Sequence, residues 1–258
     1  MKRFLSILLV CVLAASLFAG CSQSSQTAAA PAAPTAAPTE APKAEPIVFR
    51  LAENQPEDYP TTLGDKEFAR LVEERTNGRI KIEVYSGGQL GDEKSIAEQI
   101  QFGAIDFARL SLSPLTEHEK SMGVLMLPYL YRDKEHMFKV LEGTVGEKIL
   151  SNLEAKAGIV GLGWLDAGSR NFYNTEREIK TPADMKGLKI RVQETALMMD
   201  LISALGASPV ALAYGDVYSA MQTGVIDGAE NNWPSFESSK HYEIAKYFTI
   251  DEHTRVPE

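Results

Sequence analysis

The chain has 258 residues, 44% of them hydrophobic and 24% charged, with a formal charge of −9 and two cysteines. That length and apolar content allow one large domain or two small ones with a real core, and they exclude a disordered or collagen-like chain. Two cysteines cannot build a disulfide scaffold, and the negative balance disfavours nucleic acid, whose phosphates demand clustered Lys and Arg.

Residues 1–20 read as an export signal. Lys2 and Arg3 precede an almost wholly apolar run over residues 4–19, which is shorter than a spanning helix and is followed by small residues. Leu17-Phe18-Ala19-Gly20-Cys21 resembles a bacterial lipobox, so Cys21 is expected to be the lipidated first residue of the mature protein. The alternative is an ordinary signal peptide cleaved after Ala19 or Gly20, leaving Cys21 as a free thiol. Residues 22–46 contain nine Ala, five Pro, three Ser and three Thr, too little apolar surface for a core, so residues 21–46 are expected to be a tether.

The folded part is expected over residues 47–258. Ile47 to Ala52 reads as a strand. Residues 62–76 read as an amphipathic helix with Leu63, Phe68, Leu71 and Val72 inward, stopped by Asn77-Gly78. Ile80 to Tyr85 alternates as a strand, residues 92–102 read as a helix, and residues 105–110 as the next strand. Two helices follow over residues 133–141 and 144–157, then a buried strand over 159–165, a strand over 189–192, and helices over 196–205 and 214–223. This alternation predicts an α/β fold with largely parallel sheets. The pattern Q-x-G-x-I-D occurs at Gln101 to Asp106 and again at Gln222 to Asp227, each time after a helix opened by Gly-Asp (Gly91-Asp92, Gly215-Asp216). The echo points to two related lobes with a ligand site between them.

Catalytic signals are missing. His118, His136, His241 and His253 are scattered and read as surface or capping residues. No phosphate loop, G-x-S-x-G elbow or metal-ligand spacing appears, so neither a cofactor nor a metal is expected. Two arginines stand in apolar settings. Arg191 sits in a strand, on the same face as Lys189. Arg170 follows the expected strand at 159–165, near its carboxyl end, where open α/β sheets bind ligands. A guanidinium there can grip a carboxylate with two parallel bonds, or serve as a solvated charge or a structural ion pair.

Thr181-Pro182-Ala183-Asp184-Met185-Lys186-Gly187-Leu188-Lys189-Ile190-Arg191-Val192 resembles the signature of TRAP transporter solute-binding proteins. So do Gly206 to Val210, Tyr214 to Asn232 and Gln89-Leu90-Gly91-Asp92. The resemblance implies a two-lobed fold of the type II periplasmic-binding-protein kind, lobe I at about 47–165 and lobe II at about 166–258. It also implies a non-enzymatic receptor that delivers an organic acid to a TRAP membrane permease from the outer face of the cytoplasmic membrane. By motif position, Arg191 matches the arginine that pairs with the ligand carboxylate, Arg170 a second basic contact, and Asn231 a hydrogen bond to the same carboxylate. Tyr214 matches an aromatic against the ligand, and Asn54 and Ser111 match polar contacts.

The polar run Glu53 to Thr61 favours sugar hydroxyls, and hence a sugar acid such as a hexuronate. The alternatives are a C4-dicarboxylate, or an exported hydrolase or lyase using Asp216 or Glu230. Family members usually continue further, so a C-terminally truncated chain is expected, with apolar surface exposed around Met221, Val225 and Phe236.

Overall fold

The protein is described by a computed structural model over residues 45–258. The expected signal, Cys21 and the tether up to residue 44 lie outside the described residues.

Strands β1 (Ile47–Ala52), β2 (Ile80–Tyr85) and β3 (Phe107–Ala108) form a parallel sheet in the order β2-β1-β3. Helix α1 (Pro60–Arg75) links the first two strands and starts on a proline, whose missing N–H suits the first helical position. Helix α2 (Glu93–Gln101) starts at Asp92, whose carboxylate accepts from the Ser95 amide at 2.8 Å. The short α3 (Leu112–Leu115), a 3-10 turn at Lys120–Met126, α4 (Lys134–Leu141) and α5 (Thr144–Ala157) bury Met122, Leu125, Met126, Met137, Leu141 and Leu153 in one core.

The second sheet holds β4 (Asp166–Asn174), β5 (Lys189–Val192), β6 (Ser208–Ala211), β7 (Gly228–Asn232) and β8 (Tyr247–Pro257), in the order β6-β5-β7-β4-β8. Strands β5, β6 and β7 are parallel, and β4 is antiparallel to both of its neighbours. Helix α6 (Ala196–Ala204) covers β5, while α7 (Val217–Gln222) and α8 (Trp233–Ser238) cover β7. The far end of β8 returns to the first core. Val256 packs there, and Thr254 Oγ1 donates to the Met126 carbonyl at 2.9 Å.

The Q-x-G-x-I-D echo is one device used twice. Gly103 and Gly224 both turn through left-handed conformations, with φ of 70° and 73°. Asp106 then accepts from the amide of Arg50 on β1, and Asp227 from the amide of Lys189 on β5, each at 2.8 Å.

Several expectations need correction. Helix α1 buries Thr62, Asp65 and Ala69, whereas Leu63 and Phe68 are exposed. The buried face of the helix carries Asp65, beside Glu53 at the end of β1, and Ala69 and Val72, which pack with Leu51 and Ile82, while Phe68 edges against Phe107. The apolar run at 159–165 forms no strand. Val160 and Leu162 are exposed, and pairing begins only at Leu165, which exchanges both backbone bonds with Glu258. An apolar run becomes strand only beside a partner. Arg170 consequently lies inside β4 rather than at a strand's carboxyl end. The strand expected at 105–110 shortens to Phe107–Ala108, and the helix expected over 214–223 opens with a 3-10 turn, Tyr214–Asp216. His241 and His253 are buried, not superficial. Met221 and Phe236 are core residues, and of that trio only Val225 is exposed.

Candidate functional site

A cavity of about 300 Å3 opens between the two sheets. From the first sheet's side it is lined by Asn54, which follows β1, by Gly87 and Gly88, and by the first turn of α2. From the other side come Arg191 on β5, Gln193 just beyond it, and Tyr214. It continues into a polar recess of about 20 Å3, where Asn54, Arg191 and Tyr214 meet Ser111, Arg170 and Asn231. All six expected site residues thus converge on one place.

Their electrostatics differ sharply. Arg170 is buried, and four of its five N–H groups are engaged. Its Nη2 donates to Glu230 Oε1 and to the Glu230 carbonyl, both at 2.8 Å, its Nε donates to Glu230 Oε2, and its Nη1 donates to Asn231 Oδ1 at 2.8 Å. One of its five N–H groups remains for the recess. Burial opposes the charge on Arg170, but Glu230 outweighs that and holds it above its ordinary value. Glu230 itself is driven up by burial and down more strongly by Arg170 and by His253, to about 2. His253 stands between Glu230 and Asp251, at 3.4 and 2.9 Å, and stacks on Phe172.

Arg191 is different. It is 3% exposed, its Nε donates to the Leu212 carbonyl at 2.8 Å, and among the described residues no carboxylate pairs with it. Burial therefore pushes its guanidinium below its usual value. Both terminal nitrogens are left for the cavity. Beside it, Asn231 Oδ1 accepts from Arg170 and from the Asn232 amide, and among the described residues nothing accepts from Asn231 Nδ2. A buried cation without a partner and a free amide donor together form a site for an anion with two acceptor oxygens.

The remaining contacts are shaped by hydrogen bonds elsewhere. The Tyr214 hydroxyl is drawn away from the cavity to Ser239 Oγ at 2.5 Å, so its ring can serve as a wall. Asn54 Oδ1 accepts from Arg109. Ser111 Oγ donates to Glu93 at 2.7 Å and accepts from Gln193 at 3.0 Å, so it can only accept from a ligand.

Sequence reasoning missed the residues that hold these groups. Arg109, 5% exposed, bonds Glu53 with two nitrogens and lies 3.3 Å from Glu93. Gln193 links Ser111 to Ser113. A signal was present: Arg109 interrupts an apolar strand, and Glu53 ends one.

A model of "bacterial extracellular solute-binding protein, family 7" matches residues 51–258. The chain belongs to this family. A solute-binding protein from Chromohalobacter salexigens is 39% identical over 203 residues, covering 79% of this chain and 60% of that protein. The C4-dicarboxylate-binding periplasmic protein of Rhodobacter capsulatus is 37% identical, covering 81% of this chain and 63% of that one. A TRAP periplasmic solute-binding protein from Sulfitobacter sp. NAS-14.1, solved with bound β-D-galacturonate, superposes with a TM-score of 0.80 at 38% identity, covering 82% of this chain and 70% of that one. The chain therefore spans about three fifths of the length of these sequence relatives.

Proposed function

We propose that this family 7 chain is the receptor part of a TRAP transport system and captures a sugar acid, a hexuronate such as galacturonate, for delivery to a membrane permease. The observation that carries the reading is Arg191, a buried guanidinium at the cavity wall whose terminal nitrogens have no partner among the described residues. A ligand carboxylate completes it, and Asn231 Nδ2 adds a second donor to the same group. The remaining N–H of Arg170 and the acceptor oxygens of the recess meet hydroxyls, and the Tyr214 ring lies against the apolar face of the sugar. Two charge-assisted bonds at roughly 1.5–3 kcal/mol each, with ring contacts, approach the about −8 kcal/mol of a micromolar complex. The galacturonate complex of the Sulfitobacter relative supports the choice of ligand.

The exported hydrolase or lyase is disfavoured. Glu230 is wholly buried and held ionised between Arg170 and His253, so it has no proton to give and no path to a substrate. The C4-dicarboxylate reading keeps one supporting observation, the Rhodobacter capsulatus relative. The lipid anchor at Cys21 and the lobes at about 47–165 and 166–258 belong to the same proposal, with the receptor held at the outer face of the cytoplasmic membrane. Titration calorimetry with D-galacturonate, succinate and malate tests the ligand. Micromolar or tighter binding of galacturonate without turnover is expected, and binding of succinate or malate alone overturns the reading.

A further inference from the structure

Among the described residues Arg191 is the buried cation at the cavity with no carboxylate partner, and the wall opposite it is acidic. Glu93, the first residue of α2, lines both the cavity and its recess, with its side chain 15% exposed. It is fixed in place from three directions. The Ser111 amide donates to Oε1 at 2.9 Å, Ser111 Oγ to Oε2 at 2.7 Å, and Arg109 Nη1 to Oε1 at 3.3 Å. Arg109 is not available to a ligand in exchange, because its other nitrogens are bound to Glu53 and Asn54. Arg191 senses Glu93 across the cavity, since the carboxylate is among the groups that favour its charge. The nearby charges at the mouth do not reverse the sign. Lys94 is 3.7 Å from Glu117, and Asp92, Glu194 and Asp216 add three further carboxylates.

We propose that Glu93 is a specificity-determining residue. It accepts from the hydroxyls of a bound sugar acid and repels any second carboxylate, so the site selects monoacids from diacids of the same length. This deepens the sugar-acid reading and rests on it for the position of the first carboxylate. A ligand whose single carboxylate sits on Arg191 extends toward Glu93 with neutral donors, which a carboxylate welcomes. A diacid of similar reach brings an anion toward a fixed anion in a partly dry cavity, where repulsion is poorly screened. Discrimination then comes from a built-in repulsive element as well as from attraction to the right ligand. A carboxylate this well supported resists swinging aside, because leaving would strand the Ser111 amide and hydroxyl donors.

The test uses matched acids on the wild-type protein and on two variants, Glu93→Gln and Glu93→Asp. D-Galacturonate is compared with galactarate, and D-erythronate with tartrate, by titration calorimetry. The wild type should prefer the monoacid of each pair. E93Q should narrow that preference by about tenfold or more, the removal of one fixed charge at close range. E93D disturbs the Ser111 contacts but keeps the charge, and should retain the preference. If E93Q binds the monoacid yet leaves the ratio unchanged, or if E93D loses the preference as fully as E93Q does, Glu93 supports structure rather than choice and the proposal falls. The ligand reading fails separately. A wild type that binds erythronate but no uronate, with the same E93Q effect, upholds Glu93 and removes the hexuronate, whereas a wild type that prefers galactarate or tartrate overturns both.

Discussion

Arg170 and Arg191 flank strand β7 from opposite sides, in register with Asn232 and Ala229 respectively, yet among the described residues only Arg170 of the two has a carboxylate partner. Two side chains of one type, on strands either side of β7 and almost equally buried, therefore stand in different electrostatic settings. Glu230 neutralises one, and the other keeps its terminal nitrogens for the cavity, which is why the proposed carboxylate site is built on Arg191.

Replacing Arg191 by Met should separate binding from stability. Galacturonate affinity should drop by at least about a hundredfold, the loss of two charge-assisted bonds. The ligand-free melting temperature should stay level or rise, because a buried charge without a partner is removed. A fall of many degrees in the ligand-free protein would show that Arg191 is structural.

Glu230→Ala should act in the opposite sense, costing about 3–5 kcal/mol in urea unfolding, since it strands Arg170 in the interior. The double variant Arg170→Met with Glu230→Met should recover a good part of that loss. Equal destabilisation by the single and double changes would mean that the pair is not the cause.

The Asp65 carboxyl on α1 is buried 8% exposed beside Glu53, and burial, reinforced by the Glu53 charge, pushes it up to about 8. An unfolded Asp titrates near 3.9. Between about pH 4 and pH 8 the folded state therefore holds a proton that the unfolded state has lost, and this contribution to stability falls as pH rises through that window. Asp65→Asn keeps a neutral side chain and removes the slope. Urea melts at pH 5 and pH 8 should show the variant gaining on the wild type by on the order of 1–3 kcal/mol at the higher pH. A difference that does not change with pH would refute this.

Cys21→Ala should abolish fatty-acid labelling of the full chain and release the protein from the membrane fraction of a bacterial host. An unlabelled wild type would remove the anchor.

Some of this was legible in one sequence because it is local. The period of two in Ile80 to Tyr85 gave β2, and Asp92 and Asp133 marked the starts of α2 and α4. Arg191, Asn231 and Tyr214 stood out within long motifs. What stayed hidden depends on partners far along the chain. Glu53 meets Arg109, and Arg170 meets Glu230, only after strands have paired, and no single segment reveals which carboxylate a guanidinium will find. The inward face of α1 was misjudged for a related reason. Periodicity ranks Leu63 and Phe68 as core, but the face of the helix that packs on the sheet is the one carrying Asp65, Ala69 and Val72.

The two aspartates of the echo do more than end a turn. Asp227 fixes Lys189, and Arg191 lies two residues further along the same strand; Asp106 fixes Arg50, and Asn54 lies four residues further along. Side chains alternate between the faces of a strand, so slipping β5 by a single residue would turn Arg191 into the hydrophobic layer and bring Ile190 to the cavity. The face on which Arg191 stands is thus pinned at the opposite end of the strand by the Asp227 carboxylate as well as by pairing with β6 and β7. Each wall of the cavity carries its own alignment pin, and a change at either pin would misaddress Asn54 or Arg191 while leaving both present.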